Sequence, residues 1–133
     1  MVLESLDGAS FRLADHSGRH GVVLVFWMSW SDISKQQLAE MSAQASRLAD
    51  RVKVIAVATD GPQTVAQVRT ESAKLKLSFP VVLDSESSAA KLYNPRAVVP
   101  HTVLIDHCGR VVEHHDGHVP GLADSLAAAI ERL

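Results

Sequence analysis

The 133-residue sequence predicts an α/β fold: a central mixed β-sheet with helices on both faces. Three observations carry this. Short strand-like and helix-like segments alternate along the chain. Two near-continuous apolar runs, residues 22–27 (VVLVFW) and 52–58 (VKVIAVA), have the character of strands buried on both faces, as parallel neighbours are. A late pair of strand-like runs joined by a tight turn adds antiparallel partners. No internal repeat, linker or low-complexity tract interrupts the chain, so residues 1–133 are read as one domain.

The elements follow in order. A β-hairpin opens the chain, with Asp7-Gly8 turning between residues 2–6 and 10–13. Residues 22–27 form the first buried strand. A long helix is expected from about residue 32 to residue 48, because Leu38, Met41, Ala45 and Leu48 recur at steps of three and four. Residues 52–58 form the next strand. Thr59-Asp60-Gly61-Pro62 breaks the pattern, and Pro62 suits the first turn of a second helix. That helix runs to about Leu75 with Val65, Val68 and Leu75 inward. Phe79-Pro80 leads into extended residues 81–84. A short helix is expected over 87–93, with Ser85 as its cap and Glu86 at the positive end of its dipole. Pro100 precedes a strand containing Thr102 to Ile105, and Asp106-His107-Cys108-Gly109 turns a hairpin back into residues 111–115. Pro120 opens a closing helix with Leu122, Leu126, Ile130 and Leu133 on one face.

The bulk numbers remove several classes of function. A net charge of -2 offers no electrostatic case for nucleic acid or an anionic membrane. The longest apolar runs are too short to span a bilayer. Met1 leads directly into V-L-E-S-L-D-G, without a basic start or an apolar signal core. The compartment is therefore open between the cytoplasm and, for a trimmed domain, the extracytoplasmic space. The single cysteine, Cys108, allows no internal disulfide.

Four stretches, in the right order, resemble the thioredoxin fold and more narrowly the TlpA/ResA-type branch of the AhpC/TSA–thioredoxin superfamily. L-D-G-A-S-F-R-L-A-D-H-S-G-R resembles that group's opening hairpin. V-V-L-V-F-W-M-S-W-S resembles its strand into the active-site turn, which usually ends W-C-x-x-C. F-P-V-V-L-D is similar to the insert that separates this branch from plain thioredoxin. V-V-P-H-T-V-L-I-D-H-C-G-R-V-V is similar to its cis-proline segment and final hairpin.

Carried over residue by residue, the resemblance puts Ser31 where the family has its attacking cysteine and Ser34 where it has the resolving one. The redox motif becomes Ser31-Asp32-Ile33-Ser34. At Val25, where plain thioredoxins have a buried Asp and this branch often Asn, the polar accessory is missing as well. Thiol–disulfide exchange needs a thiolate and a second sulfur. A helix dipole, worth about 0.3–1 kcal/mol at an exposed site, does not turn a serine hydroxyl into such a group. The expectation is a domain of oxidoreductase descent without redox activity or cofactor. The alternative is an active oxidoreductase whose two cysteines have been replaced by serine.

Ser31 is then expected to cap the helix, with Asp32 adding favourable charge at the same end. A hydrolase would need His101 beside Ser31 as base, and no G-x-S-x-G turn is present. What remains is binding. The resemblance implies a cis Val99–Pro100 bond that exposes the Val99 backbone beside the serine turn. Trp30, Asp32, Val99, Pro100 and His101 are the candidate binding residues, and an extended peptide or partner protein in the Trp30/Pro100 groove is the candidate occupant. The plainer alternative is that Pro100 shapes the turn and Trp30 shields the helix start. His107, Cys108, His114, His115, Asp116 and His118 hint at a soft metal ion. Their positions toward opposite ends of a hairpin satisfy no ligand spacing, so no metal site is expected.

Overall fold

The computed structural model describes residues 2–16, 20–48 and 51–133; residues 17–19, the tail of the opening stretch, lie outside them. Among the described residues, strands and helices follow one another as β1 (Val2–Ser5), β2 (Ser10–Arg12), β3 (Gly21–Trp27), α1 (Asp32–Ala43), β4 (Val52–Ala58), α2 (Val65–Leu75), β5 (Val81–Leu83), α3 (Ser88–Tyr93), β6 (His101–Ile105), β7 (Val111–Asp116) and α4 (Leu122–Glu131). The strands form one sheet in the order β2-β1-β5-β4-β3-β6-β7. Strands β3, β4 and β5 are parallel, while β1, β2, β6 and β7 add antiparallel pairs. This is the expected mixed sheet of a thioredoxin-like fold. The insert contributes β5, which pairs with both β4 and β1 and so ties the opening hairpin to the sheet.

Strand β3 organises the interior because all seven of its residues are buried. Alternation along the strand sends successive side chains to opposite faces. Val23, Val25 and Trp27 pack with Leu38 and Met41 of α1, Val68 of α2, and Leu126 and Ile130 of α4. Val22, Leu24 and Phe26 pack with Leu3, Phe11, Ala89 and Tyr93 on the other face. Full burial of a side chain of this size contributes about 1.5–3 kcal/mol, so β3 alone anchors two cores. Its first residue must be glycine. A Cβ on Gly21 would lie 2.9 Å from the Ile105 carbonyl oxygen and 3.1 Å from Val52 Cγ1, too close for another residue without moving a backbone.

Three expectations need correction. Helix α1 stops at Ala43 rather than near Leu48, and residues 45–47 form a 3₁₀ turn. The chain must reverse there: Leu48 O accepts from Arg51 N and from Val52 N, the first residue of β4, while the Leu48 side chain stays in the core. Ser85 does not cap α3, and Glu86 is not in its first turn. The buried Asp84 does the capping, accepting from Ala89 N at 3.0 Å and Ala90 N at 2.9 Å. Leu133 lies beyond the end of α4 and is 40 % exposed, whereas Leu122, Leu126 and Ile130 are buried as expected.

At the β6–β7 turn Asp106 accepts from Arg110 N and Cys108 N, both at 2.9 Å. The backbone bond from Arg110, ahead of that from Cys108, holds its carboxyl below the usual range. No helix of the described residues is long and apolar enough to cross a membrane.

Replacing Asp84 with Ala strips the first turn of α3 of two acceptors. Chemical denaturation is expected to show a loss of about 1–2 kcal/mol, whereas Ser85→Ala leaves the midpoint unchanged.

Candidate functional site

Strands β3 and β4 run parallel and end side by side at Trp27 and Ala58. At this carboxyl end of a parallel pair the backbone runs out of strand partners, and ligand sites form there in α/β sheets. The chain leaves β3 through Met28-Ser29-Trp30-Ser31 and enters α1. Ser31 N donates to Met28 O at 3.1 Å and closes the turn.

Ser31 caps the helix as expected. Its backbone is extended (φ -101°, ψ 105°) and its hydroxyl accepts from Ser34 N at 3.3 Å. The Ser34 side chain is fully buried. Its oxygen accepts from Met28 N at 3.3 Å and lies 2.9 Å from Ser31 O and 3.2 Å from Met28 O. The Ser34 hydroxyl therefore fastens the turn to the helix by bonds of ordinary oxygen length. Asp32 is fully exposed beside it and pairs with Lys35 at 3.3 Å. Trp30 and Ile33 are large apolar side chains left in solvent, 64 % and 51 % exposed.

Beneath this surface lies a polar cluster that sequence reasoning missed. Asp60, at the end of β4, accepts from Ser29 N at 2.9 Å and from the Ser29 hydroxyl at 2.5 Å. Gln67 Oε1 is 3.3 Å from that hydroxyl, and both Ser29 and Asp60 are buried. Gln37, also buried, accepts from Val119 N at 2.8 Å and ties α1 to the segment before α4. The only local signal was an acidic residue ending an apolar strand; its partner is 31 residues away.

The register of β3 with β6 pairs Phe26 with His101, which brings Pro100 beside Trp27, at the mouth of the serine turn. The Val99–Pro100 bond is cis. Around it the backbone is held on every side but one. Asn94, buried, accepts from Val98 N at 3.2 Å and donates to Val98 O at 2.8 Å. Gly117 N donates to Pro100 O at 2.8 Å. Val99, half-buried, has neither its N–H nor its C=O in a hydrogen bond with any of the described residues.

His101 does not serve Ser31. Phe26 and His101 sit opposite each other and share the face that carries α3. Both imidazole nitrogens are engaged there, Nδ1 with Asp116 Oδ1 at 2.6 Å and Nε2 with Tyr93 O at 3.0 Å. His101 is thus not the base of Ser31. On the opposite face, Val25 is fully buried across from Thr102. The buried Thr102 hydroxyl has no partner among the described residues.

The late histidines go separate ways. His115 pairs with Glu113 at 2.6 Å, and His118 with Glu40 of α1. Among the described residues no three His, Cys, Asp or Glu side chains converge on a point that would hold a metal ion. Cys108 is exposed in the β6–β7 turn.

Comparison with known proteins places this geometry in context. The AhpC/TSA family profile matches residues 1–114. The chain is 31 % identical to the thiol-disulfide oxidoreductase ResA of Halalkalibacterium halodurans over 117 residues, which is 87 % of this chain and 64 % of that protein. It is 30 % identical to the thioredoxin-like protein YneN of Bacillus subtilis, over 86 % of this chain and 66 % of that protein. The chain thus spans somewhat less than two thirds of each of these relatives. A crystal structure from Chlorobium tepidum, described as a thiol:disulfide interchange protein DsbE, superposes with a TM-score of 0.83 at 28 % identity. That match covers 99 % of this chain and 91 % of the other.

Asp60→Ala is expected to leave the Ser29 amide buried without an acceptor and its hydroxyl with only Gln67 Oε1, at a cost of about 2–4 kcal/mol. Ser29→Ala removes only the hydroxyl bond and is expected to cost about 1 kcal/mol. Equal losses in urea unfolding of the two variants would show that the backbone bond contributes nothing.

Proposed function

We propose that this chain, which belongs to the AhpC/TSA family and is a thioredoxin-like domain of the TlpA/ResA type, has given up electron transfer and binds an extended peptide segment of a partner. The relatives' names describe thiol–disulfide oxidoreductases, and that chemistry moves two electrons between paired sulfurs. Ser31 and Ser34 occupy the turn and first helical residues at the end of β3, the place where the family motif has its cysteines. A hydroxyl there neither ionises near neutral pH nor forms a stable bond to sulfur. Cys108 does not replace them. It lies beyond the far end of β6 from Pro100, on the order of 15 Å away at about 3.3 Å per strand residue.

One observation supports binding above all: among the described residues nothing bonds the Val99 donor or acceptor, while Val98 and Pro100 are both satisfied internally. A backbone left open in this way suits the addition of one extended strand segment. The exposed Trp30 and Ile33 at the same end of the sheet supply apolar surface for side chains of that segment, and aromatic residues in such positions often dominate binding. Descent from oxidoreductases of disulfides, bonds that persist in oxidising compartments, supports a place outside the cytoplasm.

Two measurements test this. The protein is expected to show no turnover with insulin disulfides, and the Ser31→Cys/Ser34→Cys variant to close a new disulfide under oxidising conditions, leaving Cys108 free. Failure of that pair to close removes the inherited-site premise. Peptides selected from a random library are expected to shift the Val99 amide in NMR spectra. They should lose about tenfold in affinity on Trp30→Ala, the equivalent of about 1.4 kcal/mol. Selected peptides that bind the variant equally well and leave Val99 unshifted would exclude this groove.

A further inference from the structure

The tie that His101 makes is unusual for its chemistry. Its two ring nitrogens both face acceptors, the Asp116 carboxylate at 2.6 Å and the Tyr93 carbonyl at 3.0 Å, and its side chain is only 8 % exposed. A neutral imidazole carries one N–H and so donates to only one of them; an imidazolium donates to both. The ring thus sits between two structures whose connection depends on its protonation. Tyr93 ends α3 and Asp116 ends β7, and His101 directly follows the Val99–Pro100 segment. The residue after Asp116, Gly117, holds Pro100 O.

We propose that His101 is a positioning residue whose proton uptake tightens the Val99 docking edge, making peptide binding pH-dependent. The proposal rests on the peptide-binding function given above. With one proton the ring donates either to Tyr93 O of α3 or to Asp116 of β7, whose backbone is already paired with β6. With two it bridges both, and the 94–101 segment is clamped between Asn94 on Val98, Gly117 on Pro100 and the doubly bonded ring. A clamped edge loses less freedom on binding than a loose one.

The groups that face the ring fix the direction of the response. Tyr93 O from α3 and Asp116 from β7 favour the added proton. Arg96, which pairs with Asp116, and His114 and His115 of β7 oppose it as cations. Phe26 of β3 packs against the ring without charge. Burial is the largest influence and lowers the imidazole pKa from its ordinary 6.5, with the Tyr93 bond working against it. The second proton is therefore taken up on the acid side of 6.5, and the edge is looser at neutral pH. The sign for folding is opposite to that for docking. A lowered pKa means that the unfolded chain binds the proton more readily, so this group's contribution to stability is full above 6.5 and declines as the pH falls.

The test begins with the ligand-free protein. An NMR titration is expected to give His101 a midpoint below 6.5, with the Val99 and Gly117 amides shifting at the same midpoint. Those shifts should vanish in His101→Phe, and the midpoint should fall further in Asp116→Asn, which keeps the ring in place. A library-selected peptide should bind the wild-type protein about three- to tenfold more tightly at pH 5 than at pH 7.5, and His101→Phe at one affinity throughout. Val99 and Gly117 amides that ignore the His101 titration, or keep titrating without it, overturn the proposal. So does a selected peptide whose affinity follows the same pH course in His101→Phe. If the amide titrations stand and no peptide binds at any pH, peptide docking at Val99 is wrong while the proton-dependent tie is right.

Discussion

The two-sided pairing of β3 constrains everything that follows in this protein. The strand is fully buried, hydrogen-bonded to β4 on one edge and β6 on the other. Its register with β4 fixes where the parallel pair ends, and so where α1 begins. Its register with β6 fixes which residues meet that point, and so sets Pro100 beside Trp27. A slip of one residue would send every side chain of the strand to the wrong face. Val23, Val25 and Trp27 cannot leave their core without Val22, Leu24 and Phe26 leaving theirs. The geometry of the site follows from the register of the buried strand beneath it.

The site's polar groups follow the same economy. Once β3 and β4 end, the freed backbone must find acceptors, and Asp60 and Ser34 supply them from either side of the turn. Ser34 shows how a small hydroxyl can fasten such a turn. It is smaller than a thiol, it reaches Ser31 O at 2.9 Å, and it holds the helix start closed. The buried hydroxyl of Ser34 ties the turn to the start of the helix.

Much of the fold was legible in the residues. Continuous apolar runs located the central strands, and Asp7-Gly8 and Asp106 to Gly109 located the hairpin turns. The errors came where a local pattern met a non-local demand. Ala45 and Leu48 continue the helical spacing of α1, yet the chain must turn there to reach β4. Ser85 has the chemistry of a cap, but Asp84, a residue earlier, reaches further and is anchored in the core. For the site, Trp30, Ser31 and Ser34 were legible in the turn between β3 and α1, and Val99 and Pro100 in the segment before β6, because each group lies in a recognisable local stretch. The Asp60–Ser29 contact, the Asn94 loop and both partners of His101 were not. Each depends on strands and helices meeting in space, and no spacing along the chain announces it.

The solitary hydroxyl of Thr102 has a consequence of its own. It is buried on the face that carries α1, directly across the ladder from Val25, and nothing among the described residues answers it. The interior therefore already holds one half of a hydrogen-bonded couple, with a hydrocarbon in the other seat. An amide or carboxylic acid at position 25 would enter to find a mate rather than an oily wall.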